Sequence, residues 1–209
     1  MIRSEDEARD FCAKRCDSAT MAKLEKFVSL LAEENERQNL VSAASLSNVW
    51  TRHIADSLQL LDLAGDGEGG HWMDLGSGPG LPGLVLAIAR PHTPIALVES
   101  RRKRFAWLEH VSSELSLEKC EVHGKRLELV ESRDMGIITA RAFAPLGKLL
   151  KLSARFSTRS TIWLLPKGRS AAQELAEQSS AIRQMFHVEQ SQTDAEAAIL
   201  VGKGRPAST

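Results

Sequence analysis

Several kinds of protein are excluded by what this sequence lacks. No apolar run approaches the ~18 residues that cross a bilayer. Met1-Ile2-Arg3-Ser4-Glu5-Asp6-Glu7 has no apolar stretch of the kind a secretory signal requires. Cysteines number three, Cys12, Cys16 and Cys120, too few and too odd for a disulfide scaffold, and they suit a reducing compartment. Aromatics are 5% of the chain. Trp50, Trp72, Trp107 and Trp163 sit in apolar stripes or strands and read as core, which leaves no aromatic ladder for stacking single strands. Net charge is zero, so the chain as a whole lacks the field of a basic nucleic-acid binder. The expectation is a cytoplasmic protein with no membrane contact and no metal.

What is present is an ordinary globular composition: 209 residues, 43% hydrophobic and 26% charged. That apolar fraction can offset chain entropy, and the length fits one large domain with an appendage. Charge is unevenly placed. Residues 1–70 hold 8 basic and 13 acidic side chains, net −5, and residues 71–209 hold 19 and 14, net +5. From Met135 to Gln173 there are seven basic residues (Arg141, Lys148, Lys151, Arg155, Arg159, Lys167, Arg169) and no acid. Such a window presents a polyanion with a positive surface, or is simply a solvated face.

Residues 1–64 read as helices. Ser4 with Glu7 makes a capping box that starts a helix running through Cys12 and Cys16. Leu24, Phe27, Val28 and Leu31 form an amphipathic stripe, and Trp50, Ile54, Leu58 and Leu61 another after the polar break Ser42–Ser45. Gly65-Asp66-Gly67-Glu68-Gly69-Gly70 is a hinge, so the expected division is a cap (1–64), a hinge (65–70) and a domain (71–209). Beyond the hinge, short apolar runs alternate with helical stretches, as in βαβ units. Strands are expected at 71–75, 95–99, 120–123, 136–140 and 161–165. Helices are expected near 81–89, 101–115, 145–156 and 170–183, with a closing hairpin from 185–189 and 198–202. This describes a doubly wound α/β sheet with an N-terminal helical cap.

The most specific segment is Asp74-Leu75-Gly76-Ser77-Gly78-Pro79-Gly80-Leu81-Pro82-Gly83, between the first strand and the next helix. Glycines let backbone turn sharply and approach a ligand, and the helix start beyond offers free N–H groups. Residues 78–83 match G-x-G-x-x-G, and Glu99 follows Gly78 by 21 residues, near the place of a ribose-binding acid. A nicotinamide or flavin dinucleotide is therefore one reading. A pyrophosphate beside Asp74 would be repelled, however. S-adenosyl-L-methionine instead brings an ammonium and a sulfonium, which Asp74 favours, while Glu99 accepts from the ribose hydroxyls in either case.

This loop, with its double proline-glycine step, resembles that of the ribosomal RNA small subunit methyltransferase G family, also called glucose-inhibited division protein B. Other segments resemble the same family: Asn39-Leu40 and Arg52-His53-Ile54-Ala55-Asp56-Ser57 in the cap, Glu99 to Arg104, Arg126-Leu127-Glu128, Arg141-Ala142-Phe143-Ala144, and Leu165-Pro166-Lys167-Gly168. Ala140 and Leu127 depart from the usual pattern. The resemblance implies a mostly parallel, Rossmann-like methyltransferase sheet. It also implies methyl transfer from S-adenosyl-L-methionine to guanine N7 in 16S ribosomal RNA of the small ribosomal subunit, in the decoding region. It further implies cofactor contacts from Gly76, Leu81, Leu127, Glu128 and Arg141. With the residues read directly, the expected cofactor set is Asp74, Gly76, Ser77, Gly78, Gly80, Leu81, Glu99, Arg126, Leu127, Glu128 and Arg141.

Guanine N7 holds an in-plane lone pair and needs no general base, so the chemistry asks for alignment. Arg141 and His53 are expected to orient the substrate. His53 with Asp56, three apart, also reads as a local hydrogen bond. Arg101, Arg102, Lys103 and Arg104 begin a helix, where the dipole disfavours cations, which points to an external phosphate. Lys148, Lys151, Arg155, Arg159 and Lys167 join them as expected RNA contacts. Cys12 and Cys16 with a histidine could bind metal, but cysteine is more often a small buried hydrophobe. A monomer is expected. The rival readings are a small-molecule methyltransferase, a nucleotide-dependent oxidoreductase using the same loop, and a nucleotide-binding sensor without chemistry.

Overall fold

The computed structural model describes residues 1–65 and 70–207. Asp66, Gly67, Glu68 and Gly69 of the expected hinge lie outside the described residues.

The cap begins with α1 (Glu5–Ala13), where Ser4 accepts from the Glu7 N–H and the Glu7 carboxylate accepts from Arg3 N rather than Ser4 N. The helix stops at Ala13, so Cys16 lies past its end in a turn and does not share a helix face with Cys12. α2 (Ser18–Gln38) is capped by Asp17 and ends at Asn39 in the left-handed region, φ 44°. A short α3 (Ala43–Leu46) follows. The next helical run opens with a π-helical turn (Trp50–Ala55), continues as α4 (Asp56–Leu58) and closes as a 3₁₀ turn (Gln59–Leu63). The Glu5 carboxylate accepts from the N–H groups of both Trp50 and Thr51, which ties this run to α1.

The sheet contains β1 (Trp72–Leu75), β2 (Ile95–Val98), β3 (Cys120–His123), β4 (Ile137–Thr139), β5 (Ile162–Gly168), β6 (Phe186–Gln190) and β7 (Ala198–Lys203). Their order is β3-β2-β1-β4-β5-β7-β6. β1 to β5 pair in parallel, and β7 joins β5 antiparallel, so the closing hairpin enters the sheet by its second strand. Alternation along the strands divides the core. Trp72, Ile95, Leu97, Ile137 and Leu164 pack with the cap, α5 (Gly83–Ala89) and α6 (Arg102–Glu114). Met73, Leu75, Val98, Ile138 and Trp163 pack with α7 (Leu146–Ser153) and its neighbours on the other face. All four tryptophans are buried.

The helix expected over 170–183 is two, α8 (Ala171–Ala176) and α9 (Ser180–Met185). Ser179 breaks the run because its side chain accepts from the Ile182 N–H and starts a new helix there.

Candidate active site

Strand order reverses at β1, with β2 and β3 added on one side and β4 and β5 on the other, and the carboxyl ends of these parallel strands open at that switch point, where ligands bind in open α/β sheets. The glycine loop stands there. Gly76, Gly78 and Gly80 have φ of 66°, 53° and 94°, and Leu81-Pro82 is cis. Ser77 N donates to Val98 O, Gly80 N to Ser77 O, and Trp107 Nε1 to Pro79 O, so backbone and core hold the loop's shape.

The two acids both accept from backbone N–H groups of the loop. Asp74 is 1% exposed. Its Oδ2 accepts from Gly83 N at the start of α5 (3.2 Å) and its Oδ1 from Thr139 Oγ1 of β4 (2.8 Å). The carboxylate therefore braces the loop from beneath. Burial pushes its pKa up, and these hydrogen bonds oppose that shift. The Glu99 carboxylate accepts from Gly78 N (3.0 Å) and Arg101 N (2.7 Å), locking the loop to the β2 end. Each of its oxygens keeps a lone pair for a further donor.

A cleft of about 360 Å³ opens beside the loop, lined by Gly76, Glu99, Leu127, Glu128, Ala142 and Phe143, with Arg101, Arg104, Lys125, Arg126 and Lys148 around it. Leu127 is buried and Glu128 exposed, on the turn after β3. An apolar floor, acids for hydroxyl groups and a glycine wall at Gly76 suit a nucleoside with a cationic tail. Gly78, Gly80, Ser77 and Leu81 shape the loop without lining this cleft.

A second cavity of about 650 Å³ lies across the Ala142–Ala144 segment, lined in part by Arg52, His53, Asp56, Arg141, Lys167 and Thr193. Arg141 leaves β4 and points its Nη1 at Arg52 O (3.5 Å), His53 Nδ1 (3.4 Å) and Asp56 Oδ2 (3.5 Å). The expected His53–Asp56 pair is thus a pair around Arg141. Asp56 Oδ1 accepts from Gln59 Nε2 and Thr193 Oγ1, both at 2.8 Å, so the cap, β4 and the β6–β7 connection meet at one carboxylate. Nothing in the spacing of Thr193 announced this, because it lies 137 residues from Asp56.

Arginine only donates, so His53 Nδ1 accepts and the ring proton sits on Nε2. That atom is buried with no partner among the described residues. Burial, and then the Arg141 charge, hold the imidazole down at about 3. His53 is therefore neutral at working pH and serves as no acid. Between its folded pKa and the ordinary ~6.5, the unfolded chain binds the proton and the folded chain does not. Stability is expected to fall by ~2 kcal/mol from pH 7 to pH 5 on this account. Urea unfolding at both pH values checks it, with His53→Gln expected to lose that part of the dependence.

Other expected contacts are placed differently. Arg155 donates to Ser132 Oγ and to the carbonyls of Leu127 and Val130, with its guanidinium over Phe156. Lys167 is half-buried, donating to Ala144 O (2.8 Å) and Glu174 (2.9 Å). Both guanidinium and ammonium are thus engaged by partners inside the fold, while Lys167 also stands on the wall of the larger cavity. Arg101, Arg102, Lys103, Lys148, Lys151 and Arg159 are exposed, and Arg104 is half-buried beside Gly78. Burial pushes the Cys12 thiol up to about 12 and Cys120 up to about 11, so neither is a thiolate at neutral pH. Among the described residues no cluster of histidine, cysteine or acids could hold a metal, and no helix is long and apolar enough to cross a membrane.

This sheet order with a glycine loop at the switch point defines a methyltransferase of the S-adenosyl-L-methionine-dependent, Rossmann-like class. Solved structures share the fold: a methyltransferase from Geobacter sulfurreducens (TM-score 0.63, 12% identity, 85% of this chain and 88% of that one), and a SAM-dependent methyltransferase from Aquifex aeolicus (0.55, 14%, 72% and 90%). The family model for GidB, rRNA small subunit methyltransferase G, matches residues 20–198, and the chain belongs to that family. Relatives named "Ribosomal RNA small subunit methyltransferase G" include those of Erythrobacter litoralis, 61% identical over 98% of this chain and 99% of the relative, and Sphingopyxis alaskensis, 52% identical over 98% and 88%.

Proposed function

We propose that the cleft beside Gly76 holds S-adenosyl-L-methionine and that the larger cavity receives a guanine of 16S ribosomal RNA for methylation at N7. The observation that carries this reading is the meeting of two cavities at one loop, Ala142–Ala144, at the carboxyl ends of β1 and β4. The cofactor supplies an activated methyl group. Glu99 and Glu128 take the ribose and adenine-side donors, and Leu127 packs against the base. Guanine N7 forms the new bond with its own lone pair while the C–S pair stays on sulfur. The positive charge passes to the purine and no proton moves. Arg141, held by His53 and Asp56, fixes the angle of approach, which is where the rate comes from when no base is needed. Residues 1–64 act as the cap that supplies this support, and 71–209 bind the cofactor. The protein works as a cytoplasmic monomer on the small ribosomal subunit.

Mass spectrometry of 16S rRNA digests from cells with and without the gene tests the reading. One 7-methylguanosine should vanish with the gene, and its persistence would reject it.

RNA phosphates meet the rim of the cofactor cleft: Arg101, Arg102, Lys103, Arg104 and Lys148, continued by Lys151 and Arg159. Neutralising Lys151 and Arg159, which stand off the cofactor cleft, should weaken RNA binding evenly across sequences. It should also flatten the log-log salt dependence by ~0.7–0.9 per lost contact, without changing cofactor affinity. An unaltered slope in a filter-binding titration would move the RNA to another face.

A further inference from the structure

Phe143 is shared by the walls of the 360 Å³ cleft and the 650 Å³ cavity, and it is the phenyl ring on either wall among the described residues. The ring is half-buried and sits on the glycine loop: a Cβ on Gly76 would stand 2.6 Å from its Cδ2. Ala142 before it has φ 53°, a left-handed backbone that a residue with a Cβ adopts at a cost and that persists where its surroundings demand it. Strained backbone here carries an apolar ring to the boundary that the methyl group must cross.

We propose that Phe143 is the stacking platform for the target guanine and a residue that favours the transition state over the bound substrate. This rests on the reading that guanine enters the larger cavity. A purine must present the edge bearing N7 to the methyl carbon, which leaves its flat face to be held. An aromatic ring at the boundary holds a face without blocking an edge, and stacking accepts any approach angle that Arg141 sets. The methylated purine carries a positive charge, and a π face attracts a cation more than a neutral ring. The acids nearby cannot do this as readily. Asp56 is engaged by Arg141, Gln59 and Thr193, Glu174 by Lys167 and Ser170, and Asp194 by Arg52. The contact therefore strengthens as the methyl moves, which raises turnover and not merely affinity.

The test compares Phe143→Leu with Phe143→Tyr, the first conserving apolar bulk and the second the ring. Leucine should lower kcat/KM on small ribosomal subunits by about tenfold to a hundredfold, the scale of one stacked base, with most of the loss in kcat. Tyrosine should stay within about threefold of wild type. A second readout needs no turnover. With S-adenosylhomocysteine bound, the leucine variant should lose at least tenfold in affinity for 7-methylguanosine monophosphate and less for guanosine monophosphate. Full activity in Phe143→Leu would overturn the proposal, as would an unchanged preference for the methylated nucleotide. A loss matched by an equal fall in S-adenosylhomocysteine affinity would also overturn it, because it would make Phe143 a cofactor contact. A wild-type enzyme that methylates no guanine N7 would reject the reading of the site itself.

Discussion

Gly76→Val is expected to abolish cofactor binding and turnover. Position 76 has φ 66°, which a β-branched residue adopts only with strain of at least ~1–2 kcal/mol. Its new Cβ would also stand 2.6 Å from Phe143 Cδ2. The ring would be driven toward the cleft, so the space for ligand closes from two sides. Calorimetry with S-adenosylhomocysteine should show affinity reduced by more than a thousandfold, while circular dichroism shows the cap helices intact. The neighbouring glycines separate the causes. A Cβ on Gly80 would meet Leu84 Cδ1 inside the fold, so Gly80→Val tests folding. A Cβ on Gly78 would find only Arg104 Nη1 at 3.4 Å and Gly76 O at 3.7 Å, so a loss of affinity in Gly78→Ala reports on backbone strain at φ 53° rather than on a clash within the fold. Wild-type affinity in a folded Gly76→Val protein would remove the loop from the site.

Arg141→Ala should cut kcat by ~100-fold or more while RNA affinity stays within a few-fold, the pattern of lost alignment. Its three contacts all fall on Nη1, at 3.4–3.5 Å. The remaining guanidinium nitrogens have no partner among the described residues and are available to substrate. Arg141→Lys should rescue poorly, since an ammonium cannot hold cap and substrate in one plane. A structural role alone predicts something else: a fall in melting temperature with kcat unchanged. NMR titration gives an independent check. Removing the charge that helps depress His53 should raise its pKa from about 3, although burial, the larger cause, stays in place.

Periodicity and turn chemistry made most of the scaffold legible. β3 lies at 120–123 as expected, and the other strands shift by only a residue or a few at their ends; β1, β2 and β4 are buried throughout, and a strand buried on both faces reads as a short, largely apolar block. The glycine loop was equally legible, since positive φ at Gly76, Gly78 and Gly80 leaves few alternatives in composition. The break at Ser179 was less so. Whether such a serine caps a new helix or rides within one depends on packing around it.

Single-residue roles at the site were legible as far as type and region, and no further. Asp74 and Glu99 could be assigned to the loop from sequence, but their hydrogen-bond partners were set by where Gly83, Thr139, Gly78 and Arg101 arrive in space. Arg155 and Lys167 look like their basic neighbours in the acid-free window. Only the fold brings the carbonyls of Leu127, Val130 and Ala144 within reach of them. The sequence by itself determined the sheet, the loop and the identity of the groups at its edge, because these follow from local periodicity and backbone preference. Only the tertiary structure decided that Arg141 meets His53, Asp56 and, through Asp56, Thr193, and that Phe143 stands between two cavities. Such contacts join residues 85 to 137 positions apart, and local physics in a chain carries no information about distance of that kind.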